Sequence, residues 1–230
     1  MNRPEFSIIL PFYKQGDHLE QVISDFKNKL MKGVDTFELI IVVNGVADLP
    51  VVEEKKISDE HGVTITRITT RGAGWGFAVK RGLREGAGEY LCYTNSARTN
   101  PDELIKLMRY AKVSNDAIVK ATRIERENSA RKKISVGYNL FNRLILKTAI
   151  WDVNATPKVI PRKIMEQISL NSDGDSIDAE FMYKAFKRKI PIIEIPIDHV
   201  VRKGGKSTTN WKSAFSMFWG LVEIKMKGGN

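Results

Sequence analysis

Cysteine and histidine are scarce in this sequence. Cys92 is the only cysteine in 230 residues, which excludes a disulfide framework and suits a reducing cytosol. It lies in an apolar run, so packing is its expected role. His18, His61 and His199 have no metal-ligand spacing, which argues against a zinc site. No apolar run reaches the ~18–20 residues that a membrane span needs. The apolar run at 7–12 lacks a cleavage pattern, so no signal peptide is expected. Internal repeats, low-complexity linkers, a Walker A spacing and a G-x-G-x-x-G fingerprint are all missing.

Hydrophobic residues make up 42% of the chain, enough for a sizeable core. Lys and Arg number 37 against 27 Asp and Glu, a formal charge of +10. Such an excess suits a phosphate-rich partner: a nucleotide, a nucleic acid or an anionic membrane. A nucleic-acid binder is not expected, because no basic platform interleaved with aromatics appears.

Apolar runs at 7–12, 37–43, 63–68, 90–93 and 117–121 read as strands, separated by stretches with helical spacing. The run at 37–43 is almost continuously apolar, as in a parallel strand covered on both faces. Four or five βα repeats in the first 120 residues predict an α/β fold with a doubly wound, mostly parallel sheet. The chain is read as one domain, 1–230. The tail, 210–230, is read as an amphipathic helix with Trp211, Phe215, Phe218, Trp219, Val222 and Met226 on one stripe. That helix packs on its own core or lies on a membrane surface.

The stretch around residues 89–103 is central. A strand ends in the polar turn Thr94-Asn-Ser-Ala-Arg-Thr-Asn100, and Pro101 opens a helix. Open α/β sheets place ligands at such strand ends. Glycines crowd another turn at 72–76, for close approach to a ligand or for tight packing. The loop at 202–207 sets Arg202, Lys203 and Lys206 around two glycines, either a phosphate clamp or a solvated loop. Asp173, Asp175, Asp178 and Glu180 supply either a base or metal ligand, or helix N-terminal charges. Asp178 and Glu180 cannot face one site if the helix has begun.

Read together, these segments resemble a family 2 glycosyltransferase of GT-A fold, closest to the polyprenyl-phosphate mannosyl- and glucosyltransferases. The carriers run from Ser7-Ile-Ile-Leu-Pro-Phe-Tyr13 through Glu38-Leu-Ile-Ile-Val-Val-Asn-Gly-Val-Ala-Asp48 and the helix at 72–88. They continue through Asp152-Val-Asn-Ala-Thr-Pro-Lys-Val-Ile-Pro-Arg162 and Gly174-Asp-Ser-Ile-Asp-Ala-Glu180 to the close at 194–207.

The resemblance implies an inverting transfer from a nucleotide diphosphate sugar to a polyprenyl-phosphate or glycan acceptor. It divides the chain into a nucleotide-sugar half, 1–121, and an acceptor half, 122–209. Pro11, Tyr13, Asn44, Gly74, Asn95, Ala97, Arg98, Lys206 and Ser207 fall at donor-binding positions. Lys158 and Glu180 fall on the acceptor side, and Asp178 and Arg202 at catalytic positions. The implied location is cytoplasmic, with peripheral contact at the inner face of an anionic membrane.

Two motifs depart from the family pattern. The V-D-D-G-S segment is Val42-Val-Asn-Gly-Val46. The D-x-D turn, which binds Mg or Mn in the family, is Asn95-Ser-Ala97, so no metal ligand is assigned there. Arg98 follows directly. Metal-independent transfer and a catalytically degenerate protein that binds a nucleotide sugar without turnover are the two outcomes.

Overall fold

The computed structural model describes residues 3–12, 18–44, 51–68, 74–123, 129–198 and 211–226. The elements are β1 (Phe6–Phe12), α1 (Leu19–Gly33), β2 (Phe37–Asn44), α2 (Val51–His61), β3 (Thr64–Ile68), α3 (Trp75–Glu85), β4 (Tyr90–Tyr93) and α4 (Pro101–Val113). Then follow β5 (Ile118–Arg123), α5 (Ser129–Leu146), β6 (Lys158–Pro161), α6 (Arg162–Met165), α7 (Ile177–Lys187), β7 (Ile192–Ile197) and α8 (Trp211–Met226).

The strands form one seven-stranded sheet in the order β3-β2-β1-β4-β6-β5-β7. Every pairing is parallel except those of β6, which runs antiparallel to both β4 and β5. The expected mostly parallel α/β sheet is thus present, with strands from both halves of the chain. What the apolar pattern does not reveal is that β6 inserts between β4 and β5. Short apolar strands carry no mark of direction.

Strand alternation gives the sheet two apolar faces. Ile8, Leu10, Cys92 and Val119 pack beneath α1 and α4, whose core residues include Phe26, Leu30, Leu104 and Met108. On the other face Ile9, Ile40, Leu91 and Ile160 pack beneath α3, α5, α7 and α8. Helix α3 lies close on β1 because Gly82 has no side chain. A Cβ there would stand 2.2 Å from Ile9 Cγ2. Cys92 is buried and unbonded, as its apolar run implies.

Helix α4 starts immediately after the polar turn. Asn100 accepts a hydrogen bond from Asp102 N at 3.0 Å, Pro101 occupies the first turn, and Asp102 and Glu103 sit at the positive end of the helix.

The stripe read on the last helix needs correction. Among its described side chains Leu221 and Ile224 are buried, and the Phe218 ring meets Tyr138 and Phe141 of α5 edge-on. Trp219 and Met226 point outward and are exposed. The side chains of Trp211 and Phe215 lie outside the described ones. Over the described part of α8, the side carrying Phe218, Leu221 and Ile224 is the one that packs against the fold.

Candidate functional site

The site is built at the carboxyl end of β4. Ser96 donates to Pro11 O at 3.2 Å, which fastens the turn to the end of β1. Asn95 N donates to Thr156 Oγ1 at 3.4 Å, which sets the turn beside the residues entering β6. The hydroxyls of Thr94 and Thr99 bond each other across the turn. Asn95 Oδ1 accepts from Ala97 N at 3.1 Å, an Asx-type turn. Ala97 is buried and Arg98 half-buried. Pro11, Asn95, Ala97 and Arg98 are therefore brought together, as the sequence suggests. Asn44 ends β2, the strand next to β1, and its side chain lies outside the described ones.

Gly74 belongs to a packing contact. A Cβ on Gly74 would stand 2.6 Å from Asp173 O, and one on Gly76 would stand 2.7 Å from Ser172 O and Gly174 O. Phe77 N donates to Asp173 O at 2.9 Å, and Lys80 bonds Asn171 O and pairs with Asp173. The start of α3 is thus pressed against the 171–174 loop. Of the two readings of these glycines, tight packing is the one seen at Gly74 and Gly76.

One rung of the sheet is polar on the α3/α7 face. Tyr93 is paired with Lys158, Lys158 with Lys120, and Lys120 with Glu194, across β4, β6, β5 and β7. Both lysines have no solvent exposure. Buried charge is tolerated only when paired and hydrogen-bonded. Asp178 of α7 answers Lys158, whose ammonium also donates to Ala155 O at 2.9 Å. Tyr93 OH donates to Asp178 Oδ1 at 2.8 Å, and Trp75 Nε1 donates to Asp178 Oδ2 at 3.0 Å. Burial, offset by Asp178, pushes the Lys158 ammonium below its ordinary value. Burial and the Asp178 charge push the Tyr93 phenol well up.

Glu194 answers Lys120 at 2.8 Å and also accepts from Thr122 Oγ1 at 2.9 Å and Trp151 N at 3.0 Å. Burial moves the Lys120 ammonium down to about 8. Beside it, Arg123 grips Asp152 with two bonds, at 2.8 and 2.9 Å.

Glu180 has a separate role. It accepts from Asn171 N at 2.9 Å and Ser172 N at 2.7 Å, and pairs with Lys184 at 2.7 Å. It therefore anchors the loop that α3 rests on. The structure brings Lys158 and Asp178 together and sends Glu180 elsewhere, as the helical angle between the two acids requires. Asp175, by contrast, lies on the segment leading into α7. Burial of its carboxyl and the neighbouring Asp178 charge raise it above the usual carboxylate value.

The apolar periodicity did not single out Trp75, Tyr93, Lys120 or Glu194. The signal available was a charged residue in each of two strands otherwise apolar on that face. Tyr13, Arg202, Lys206 and Ser207 lie outside the described residues.

Residues 7–169 match the profile of glycosyl transferase family 2. The chain belongs to that family. It is 27% identical over 217 residues to a dolichol-phosphate mannosyltransferase of Pyrococcus furiosus, covering 91% of this chain and 60% of the relative. It is 24% identical over 229 residues to a dolichyl-phosphate beta-glucosyltransferase of Drosophila melanogaster, covering 90% and 70%. The chain thus spans less than two thirds of the first of these relatives. Among solved structures, glucosyl-3-phosphoglycerate synthase of Mycobacterium tuberculosis superposes with a TM-score of 0.75 at 15% identity, covering 97% of this chain and 80% of that one. That structure is a complex with Mn2+, UDP-glucose and phosphoglyceric acid. The likeness establishes the shared fold.

Proposed function

We propose that this family 2 member moves a sugar from a nucleotide diphosphate sugar to a polyprenyl phosphate. Family membership supports the donor class, and the mannosyl- and glucosyltransferase relatives support the acceptor class. One observation carries the choice of acceptor. Asp178, at the family's acceptor-side acidic position, already accepts hydrogen bonds from Trp75, Tyr93 and Lys158. Both of its oxygens are thus engaged, so neither is free to receive the proton of an attacking hydroxyl. A sugar hydroxyl needs a base, whereas a phosphate monoester is already ionised and attacks without one. In this reading Asp178 holds Trp75, Tyr93 and Lys158 in position, and residues 1–121 and 122–209 divide donor from acceptor.

The acceptor lipid implies a membrane. No described helix is long and apolar enough to cross one. Val136, Leu140 and Leu144 recur at four-residue spacing on α5 and are exposed, and so are Trp219 and Met226 on α8. Lys147, just after α5, and Lys225 of α8 are exposed as well. Exposed apolar residues and lysines on these two elements suit the surface of an anionic membrane.

The test is transfer from radiolabelled UDP- and GDP-sugars to a short polyprenyl phosphate in detergent. Labelled lipid supports the reading. Transfer only to a free sugar acceptor would replace polyprenyl phosphate with a glycan. The self-bonded turn at 95–97 favours a second reading, a protein that binds a nucleotide sugar without turnover. Nucleotide binding with no transfer to any acceptor would select it.

A further inference from the structure

The family's divalent cation sits at a D-x-D turn, and the residues at that turn here do not fit one. A hard cation such as Mg2+ or Mn2+ takes several oxygen ligands, usually including carboxylates. The turn 94–99 has no carboxylate. Its side-chain oxygens are already engaged: Thr94 with Thr99, Ser96 with Pro11 O, and Asn95 Oδ1 with Ala97 N. Ala97 offers only a methyl, and it is 1% exposed. The neighbouring carboxylates of Asp152 and Asp178 are each paired with a cation, Arg123 and Lys158.

What the turn does carry is a fixed positive charge. Arg98 follows Ala97, its amide donates to Asn95 O at 3.0 Å, and its side chain is half-buried. A guanidinium stays charged at every working pH. Its planar fork matches two oxygens of a diphosphate.

We infer that this protein binds the diphosphate of its nucleotide without a divalent cation at the 95–97 turn, and that Arg98 supplies charge the metal supplies elsewhere. The inference rests on the nucleotide-sugar reading above. In that chemistry the bond between the anomeric carbon and the diphosphate oxygen breaks, the acceptor oxygen bonds to that carbon, and the leaving diphosphate keeps the electron pair. Fixed cations stabilise that developing charge by preorganisation.

Calorimetric titration of the full chain with UDP and with GDP, in Mn2+ and in EDTA, tests the inference. The expected result is binding whose affinity agrees within about twofold between the two buffers. Arg98→Gln should weaken it by about tenfold or more in EDTA, the scale of a lost charge-assisted bond, and Arg98→Lys by less. Asn95→Asp keeps an acceptor for Ala97 N, so the turn survives. It should create Mn2+-dependent tightening that the parent lacks.

Binding that disappears in EDTA and returns with Mn2+ overturns the inference and leaves the transfer reading standing. No binding of either nucleotide in either buffer overturns both. Unchanged affinity in folded Arg98→Gln, checked by circular dichroism, removes Arg98 from the account. If that variant does not fold, Arg98→Lys decides, because parental affinity there shows that guanidinium geometry is not used.

Discussion

Lys158 and Asp178 form an ion pair between β6 and α7, with side chains 0% and 5% exposed. The pair joins the central sheet to α7. Removing one partner leaves the other buried and uncompensated. Lys158→Met should therefore destabilise the protein by about 3–5 kcal/mol, and the double variant Lys158→Met/Asp178→Leu should recover much of that loss. Urea unfolding of the two single variants and the double variant measures the coupling. Additive losses would show that the pair does not act as a unit.

Asp178→Asn separates positioning from catalysis. An asparagine oxygen still accepts from Tyr93 or Trp75, though it no longer answers the Lys158 charge. Removing a general base typically costs 10²–10⁴-fold in rate. If Asp178 only positions its neighbours, transfer at neutral pH should fall by less than about tenfold. The pH–rate profile should keep its shape. A loss of the acidic limb of that profile would return Asp178 to the role of base.

Asp175 discriminates between the acceptor classes. Partial burial of its carboxyl and the Asp178 charge hold it above the ordinary carboxylate value. With a phosphate acceptor, Asp175→Asn should leave transfer unchanged or raise it, because a repelling charge is removed. A hydroxyl acceptor would instead lose about 10²–10⁴-fold. Initial rates with a fixed donor and the two acceptor types decide.

The sheet was legible because its strands are apolar runs and its helices carry periodic stripes. Residues 37–43 could hardly be anything but a covered strand. The position of β6 was not legible, since four residues cannot declare direction. The site was legible in part. The polar turn after Tyr93 marked the end of β4, where Pro11, Asn95, Ala97 and Arg98 come together, and Pro101 marked the start of α4. The partners of the charges were hidden because they are remote in sequence: Tyr93 and Asp178 are 85 residues apart, and Lys120 and Glu194 are 74. A charge in a buried strand announces that a partner exists without naming it. The glycines at 74 and 76 were ambiguous for the same reason, because the 172–174 loop they admit lies far along the chain.

That loop contact gives another prediction. Alanine at 76 would put its Cβ 2.7 Å from two backbone carbonyl oxygens, which cannot rotate away. Gly76→Ala should cost about 1–3 kcal/mol through overpacking. It should also loosen the Phe77 N to Asp173 O bond, seen as faster amide exchange at Phe77. Parental stability and exchange would mean that the loop moves aside without penalty.

The buried acids set the acid limit of stability. Burial pushes Glu194 up, but Lys120 and its hydrogen bonds outweigh that and hold it below its ordinary 4.5. Lys184 and the amides of Asn171 and Ser172 do the same for Glu180. The folded state thus binds these protons less readily than the unfolded chain. Their contribution is fully present above pH 4.5 and is lost as pH falls through the lower folded values. Lys120 works at the other end. Its folded value of about 8 lies below the ordinary 10.5, so the unfolded chain holds more protons between the two, and stability from this group rises with pH across that window. Thermal melts from pH 3 to 10 should show a steep fall below about 4.5. Glu194→Gln should flatten that fall, and Lys120→Met should remove the gain above pH 8. An acid limb identical in the parent and Glu194→Gln would show that Glu194 does not control it.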